Sequence, residues 1–93
     1  IKGFRRCDVN DLDKLREEID EADEAVCAAL KKRFAVVKKI GEYKKENGIR
    51  VLDKTRESAV FEHIARLFDE KDEKNAAKEI YDAIVRASKN LQK

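Results

Sequence analysis

Two cations in the first half of this sequence stand at positions where the packing face of a helix should be apolar. Apolar residues recur there in steps of three and four, and Arg33 and Lys44 occupy places in the same row. Burying a cation is costly unless a partner offsets the cost, so this row predicts binding of a small anionic ligand. The apolar members of the row are Leu12, Leu15, Ile19, Ala22, Val26, Ala29, Leu30, Val37 and Ile40.

Polar residues later in the chain extend this set. In the last predicted helix Ile80, Ile84, Ala87 and Leu91 form an apolar stripe, and Ser88 and Gln92 continue the i, i+4 row that begins at Ile84. Arg56 and Glu57 stand one turn before the apolar part of another predicted helix, so we expect both to extend its apolar face. The set contains donors and cations, but no nucleophile beside a base and no metal-ligand spacing. Such a site could bind a dianion and stabilise charge that develops during a reaction, without covalent or proton-transfer chemistry.

Each of these signals also has an ordinary structural interpretation. Arginine and lysine stems often lie along a core while their charged ends reach water. Polar residues near a C-terminus are often the edge of a fraying helix, and charged residues in a first helical turn are often solvated. The prediction of a site therefore depends on the convergence of these residues from three segments.

The elements that must position these residues are predicted to be helices. The 93 residues include no Pro and three Gly, with 45% charged and 42% hydrophobic residues, which is typical of a single all-α domain. We expect a tail over residues 1–9 and helices over 11–47, 54–69 and 75–92. Asn10 and Asp53 are candidate N-caps, and Asn47-Gly48 is a candidate C-terminal stop for the long first helix.

The length of the first helix predicts a dimer. It would be about 55 Å long, whereas a compact domain of this size is only roughly 30 Å across. Its apolar row therefore cannot be covered by its own chain, and we expect an intertwined homodimer with a low helix-crossing angle. Arg16 lies about 25 Å along the helix from Arg33, so in an antiparallel dimer it would reach the cluster of the partner subunit.

Charge and cysteine usage argue against several other classes of protein. The 22 basic and 20 acidic residues give a net charge of +2 that is spread along the chain, which argues against nucleic-acid binding. Cys7 and Cys27 fit neither a disulfide framework nor a metal site. No apolar run is long enough for a membrane span or a signal peptide. We expect a cytoplasmic protein without metal, cofactor or membrane association.

The order and spacing of these residues resemble the all-helical (AroQ-type) chorismate mutase family. That family has an LRxxID start, an arginine about 17 residues on, a lysine 11 further, a DxxRE segment and a final SxxxQ, and the resemblance covers residues 15–92. In this sequence the parts are Leu15-Arg16-Glu17-Glu18-Ile19-Asp20, Lys32-Arg33, Glu42-Tyr43-Lys44-Lys45, Asp53-Lys54-Thr55-Arg56-Glu57, and Ser88 with Gln92.

The resemblance implies a chorismate mutase type II-like fold, an intertwined dimer of three-helix protomers with two active sites. The reaction would be the Claisen rearrangement of chorismate to prephenate, in phenylalanine and tyrosine biosynthesis. Arg33 and the Arg16 of the other subunit would hold the two substrate carboxylates, with help from Ser88. Because the reaction is unimolecular, the resemblance agrees with the lack of a nucleophile or metal site.

The resemblance also implies roles for the remaining residues. Lys44 and Gln92 would donate hydrogen bonds to the ether oxygen as the C–O bond breaks and negative charge develops there. Arg56 would line the site, while Glu57 and the main chain near Asp53 would hold the ring hydroxyl. Some family members carry Glu where Gln92 stands; because a neutral amide donates at any ordinary pH, we expect little pH dependence between about pH 6 and 8.

Two alternatives remain open from the sequence. An isochorismate pyruvate-lyase on the same fold would need the same cationic groups for a close analogue of the substrate. A non-catalytic helical dimerisation module would instead pair Arg33 and Lys44 with acidic residues across the helix seam. Activity on chorismate compared with isochorismate distinguishes a mutase from a pyruvate-lyase. Titration with a dicarboxylate transition-state mimic distinguishes an enzyme from a dimerisation module, because the module should not bind the mimic saturably.

Overall fold

The computed structural model describes residues 2–93, with side chains described from Asn10 onward. Within that range the secondary structure consists of three α-helices, α1 (Lys2–Glu46), α2 (Lys54–Arg66) and α3 (Lys71–Gln92). The predicted all-α class with one long N-terminal helix is therefore confirmed. None of the three helices is both long enough and apolar enough to cross a membrane. The side chain of Cys7 lies outside the described part of the chain.

The start of α1 differs from the prediction. The helix begins at Lys2, so most of the predicted tail over residues 1–9 is helical and Asn10 lies inside the helix rather than at its N-cap. Residues 2–9 include no Pro, and a helix that is already nucleated extends by one hydrogen bond for each residue it fixes. The lack of a regular apolar spacing in residues 1–9 was therefore not a sign that the helix begins after them.

The end of α1 is the turn predicted from Asn47-Gly48. Gly48 has a φ of 65°, the left-handed conformation that glycine adopts without steric cost. The Ile49 N–H donates to the Lys44 carbonyl at 2.8 Å, and the Gly48 N–H donates to the Lys45 carbonyl at 3.4 Å. These two bonds form a Schellman motif, which turns the connector back toward the last turn of α1.

The start of α2 is capped as predicted. Asp53 has extended backbone geometry, and its Oδ1 accepts a hydrogen bond of 2.9 Å from the Arg56 N–H. The helix ends at Arg66 rather than near residue 69, with Leu67 as its C-cap. This cap fixes the N-terminus of α2 beside two of the predicted site residues, Arg56 and Glu57.

The start of α3 lies earlier than the predicted residue 75. The helix begins at Lys71, so the charged segment expected to be a turn forms its first turn, in which Asp72 and Glu73 complement the helix dipole. Lys74 Nζ in that turn also donates to the Ala65 carbonyl at 2.5 Å, which satisfies a carbonyl in the last turn of α2. These interactions explain why the helix starts without a conventional capping side chain.

The chain divides into two compact units between Arg33 and Phe34. Helix α1 runs through both units without interruption. The single domain expected over residues 1–93 stays a prediction. In the first unit Leu30 is half-buried, while four large apolar side chains of the predicted row are exposed. Their exposed fractions are 47% for Leu12, 55% for Leu15, 59% for Ile19 and 54% for Val26.

The second unit has a small core in which α2 packs against α3. Its buried apolar residues are Val37, Ile64, Ala77 and Val85. The buried face of α3 is rotated from the predicted stripe, because Ile80 is 60% exposed and Leu91 is 38% exposed. A face containing the small residues Ala77 and Ser88 allows closer packing, which a face centred on Ile80 would prevent.

Candidate active site

The closest side-chain contact among the predicted site residues joins α1 to α3. Lys44 Nζ donates a hydrogen bond of 2.8 Å to Gln92 Oε1 and one of 3.0 Å to the Val51 carbonyl. Both side chains are half-buried. An ammonium group has three donors, so one N–H of Lys44 remains for a ligand, and the Gln92 amide keeps both donors on Nε2.

The end of α1 and the end of α3 position the two side chains of this contact. Lys44 lies in the last turn of α1, and the Schellman motif after it brings the connector back so that the Val51 carbonyl reaches the ammonium group. Gln92 is the last residue of α3, one turn after Ser88. The predicted row of Ile84, Ser88 and Gln92 therefore does turn inward, although the stripe beside it does not.

Ser88 is the buried polar residue of this region, at 5% exposure. Its hydroxyl donates to the Ile84 carbonyl of the preceding turn at 2.7 Å. A serine hydroxyl has one donor and can also accept hydrogen bonds through its lone pairs. The hydroxyl would have to rotate away from its own helix to donate to an anion.

Glu57 connects the start of α2 to the end of α3. Lys89 Nζ lies 3.1 Å from Glu57 Oε2, and the two side chains are 33% and 26% exposed. Oε2 is nevertheless buried and accepts no hydrogen bond with acceptable geometry from the described residues. Lys89 therefore pairs with this oxygen as a neighbouring charge rather than through a hydrogen bond. The carboxylate therefore offers an acceptor to a donor such as a hydroxyl group.

Arg56 does not extend the apolar face of α2 as predicted. Its side chain and that of Asp53 are exposed, while Glu57 takes the half-buried position. Successive residues of a helix point about 100° apart, so the half-buried position of Glu57 leaves Arg56 on the solvent side of this turn. Asp53 is engaged through its side chain as the N-cap of α2.

The two remaining cations, Arg16 and Arg33, lie on α1 in the first unit. Arg33 is half-buried, whereas the Arg16 side chain is 68% exposed, with its nearest acid Asp13 at 4.0 Å. Their separation of 17 positions on one helix corresponds to about 25 Å. One small anion therefore cannot contact both arginines of the same subunit.

Comparison with known proteins assigns the chain to a family. The profile of the family described as chorismate mutase type II matches residues 15–93. The chain belongs to this family. A chorismate mutase from Methanocaldococcus jannaschii is 28% identical over 86 residues, which cover 91% of this chain and 87% of that protein. No solved structure matches the chain significantly.

Three features of this candidate site were not predicted. The first is Lys89 beside Glu57, because nothing in the sequence around Lys89 distinguishes it from an ordinary exposed lysine on a helix. The second is the Val51 carbonyl, because every residue has a main-chain carbonyl and its role cannot be read from the residue type. The third is the close approach of Gly41 on α1 to the main chain of Gln92. The one sequence signal for this close approach was a glycine inside a helix whose apolar residues otherwise keep the helical spacing.

Lys44 has no acidic partner among its hydrogen bonds to the described residues of its own protomer, where it donates to a neutral amide oxygen and a main-chain carbonyl. The pairing that a dimerisation module predicts lies across a helix seam between two subunits, so that alternative stays open. Among the described residues, no group of three or more His, Cys, Asp or Glu side chains is arranged to hold a metal ion. The described side chains of this region include the donors of Lys44 and Gln92 and the ion-paired carboxylate of Glu57.

Proposed function

We propose that this protein is a chorismate mutase, an isomerase that converts chorismate to prephenate by a Claisen rearrangement. Membership of the chorismate mutase type II family supports the reaction. The observation that carries the mechanism is the hydrogen bond of 2.8 Å between Lys44 Nζ and Gln92 Oε1. It places a cationic donor and a neutral donor side by side with no acidic residue between them.

Lys44 and Gln92 act on the ether oxygen of the substrate. As the C–O bond breaks, negative charge develops on this oxygen, and donors aimed at developing charge stabilise the transition state more than the ground state. Because Oε1 of Gln92 accepts from Lys44, the amide nitrogen Nε2 is the atom directed to the ligand. The third N–H of Lys44 supplies the second donor.

Arg33 and Arg16 bind the two substrate carboxylates from different subunits. The family resemblance assigns these roles, and the separation of about 25 Å on one helix supports the assignment of Arg16 to the partner's site. Guanidinium groups suit this task because their planar donors match a carboxylate with two parallel hydrogen bonds. Ser88 assists by rotating its hydroxyl from the Ile84 carbonyl toward one carboxylate.

The ring hydroxyl of the substrate is held at the start of α2. Glu57 Oε2, which is buried and accepts no hydrogen bond from the described side chains or main chain, supports a role as its acceptor. The main chain near Asp53 contributes beside it, and Arg56, whose side chain is exposed in the protomer, lines the site. Lys89 keeps the Glu57 carboxylate in place from α3.

The working enzyme is an intertwined homodimer in the cytoplasm. The exposed apolar row on the first unit, with Leu15 at 55% and Ile19 at 59% exposure, supports the dimer because such a continuous apolar stripe usually marks a protein interface. An antiparallel copy of α1 would cover this row. It would also carry Arg16 of one subunit toward the site of the other.

Parallel incubation with chorismate and isochorismate tests the proposed function. We expect prephenate from chorismate, with little release of pyruvate from isochorismate. Faster pyruvate release from isochorismate would assign the protein to the pyruvate-lyase class instead. If neither substrate reacts and a dicarboxylate transition-state mimic does not bind saturably, the protein is a dimerisation module and the proposal is wrong.

A further inference from the structure

Gly41 lies inside α1 at a position where the backbone itself does not require glycine. The only positive φ among the described glycines belongs to Gly48, so Gly41 has ordinary helical geometry. Glycine is a poorer helix former than alanine, because it gives up more backbone entropy on folding. Some other property of this position must therefore favour the absence of a side chain.

That property is the approach of the last residue of α3. A Cβ atom at position 41 would lie 2.8 Å from the carbonyl oxygen of Gln92, 2.9 Å from its Cα and 3.2 Å from its carbonyl carbon. All three are main-chain atoms, so a change of side-chain rotamer cannot relieve the contact. Ordinary contacts of a Cβ atom begin at 3.4 Å, so the main chain would have to move by about 0.6 Å, the difference from 2.8 Å.

This main-chain movement would displace Gln92 and leave the rest of the fold largely unchanged. Gln92 is the final residue of α3, with the cap bond from the Lys93 N–H to the Asn90 carbonyl at 3.3 Å, so the last turn can shift outward at low cost. Lys44 lies one turn after Gly41 on α1, and its contact with Gln92 Oε1 is 2.8 Å long. An outward shift of this turn therefore lengthens that hydrogen bond.

We propose that Gly41 is a positioning residue, whose missing side chain lets the end of α3 lie against α1 so that Gln92 stays within hydrogen-bond distance of Lys44. Its effect on turnover rests on the proposed chorismate mutase function. Gly41 itself does not touch the substrate in this proposal. It acts through the distance between Lys44 and Gln92.

The first test does not depend on activity. Gln92 is the only glutamine in the sequence, so selective ¹⁵N-glutamine labelling gives one side-chain amide signal in the NMR spectrum. We expect Gly41→Ala to move this signal toward its position in Lys44→Ala, where the hydrogen bond is removed. Lys39→Ala, at an exposed position of the same helix, should leave it in place. An unchanged signal in Gly41→Ala overturns the proposal.

A measurement on the wild-type protein keeps the proposal testable if Gly41→Ala does not fold. The Cα protons of Gly41 should show a nuclear Overhauser contact to the Cα proton of Gln92, because one of them points along the direction of the missing Cβ. Absence of this contact in the assigned wild-type spectrum would contradict the proposed approach of the two main chains.

The second test separates positioning from general stability through kinetics. We expect Gly41→Ala to lower kcat at least tenfold with KM within threefold of wild type, and to have less than a twofold effect when Gln92→Ala is already present. An equal loss in both backgrounds means that the role is merely structural. If the wild type turns over no chorismate, the proposed function fails, while the amide signal still decides whether Gly41 positions Gln92.

Discussion

Lys44 Nζ donates to Gln92 Oε1 at 2.8 Å, and this contact determines the orientation of the Gln92 amide. A reversed amide would place its NH₂ group against the ammonium group, so that two donors would face each other. The oxygen therefore faces Lys44, which leaves Nε2 as the donor for the proposed substrate. In the proposed mechanism Lys44 has two roles, as a donor to the substrate and as the group that orients the second donor.

Replacement of Lys44 by Ala should abolish most turnover. The variant loses a cationic donor at the developing charge and also the group that orients Gln92, and removal of one such donor typically lowers kcat by about 10²–10³. The helix end should persist, because the Schellman bonds use main-chain atoms. Steady-state kinetics measures the loss, with the exposed Lys45→Ala as the matched control. Near-normal turnover of Lys44→Ala would refute the electrostatic mechanism.

Replacement of Gln92 by Glu should make the reaction acid-dependent. A carboxyl group at this position donates a hydrogen bond only when protonated, and the Lys44 ammonium group would lower its pKa below the ordinary value of about 4.3. Below that pKa the donor is present, and as the pH rises through it the donor is lost, so kcat at pH 7 should fall about 100-fold. The kcat–pH profile of wild type should be flat between about pH 6 and 8; a flat profile for Gln92→Glu would argue against Gln92 as a donor.

Mixed dimers should reveal that each site uses two subunits. Arg16→Ala and Arg33→Ala should each be nearly inactive, because every site in either homodimer lacks one carboxylate-binding arginine. In a mixed dimer one of the two sites has both arginines, and half of randomly mixed dimers are mixed, so about a quarter of wild-type activity should return. Mixing through co-refolding, with native mass to verify the dimer, gives the measurement. No recovery would mean that Arg16 does not act across subunits.

The cap at Asp53 should contribute to stability apart from any role in binding. Asp53→Ala removes the acceptor for the Arg56 N–H and should lower the free energy of unfolding by about 1 kcal/mol. Asp53→Asn keeps an acceptor and should lose much less. Urea unfolding at equal protein concentration compares them, since the stability of a dimer depends on concentration. Equal losses in the two variants would exclude the capping role.

Parts of this fold could be predicted because local chemistry determines them. Asn47-Gly48 and Asp53 mark the end of α1 and the start of α2 through a left-handed glycine and a capping carboxylate, and both features depend on a few neighbouring residues. Which face of α3 is buried was harder to predict from the sequence. Two adjacent faces of that helix carry apolar residues, and the choice between Ile80 and Val85 depends on how closely α2 can approach.

The same distinction applies to the candidate site. Lys44, Ser88 and Gln92 could be found because a polar residue in an apolar row is visible in the sequence. The Val51 carbonyl and the pairing of Lys89 with Glu57 could not, because a main-chain acceptor has no residue type and an ion pair between helices needs their relative position. Arg56 and Glu57 were both expected on the inward face, and of the two only Glu57 is half-buried.

The rate of chorismate loss, followed by ultraviolet absorbance with the wild-type protein, tests the central claim most directly. We expect saturable, first-order conversion to prephenate at about 10⁶ times the uncatalysed rate or faster, at neutral pH and without added metal or cofactor. A dicarboxylate mimic of the transition state should inhibit it competitively. A rate equal to that of chorismate in buffer alone would contradict the proposed activity and the roles assigned to Lys44 and Gln92.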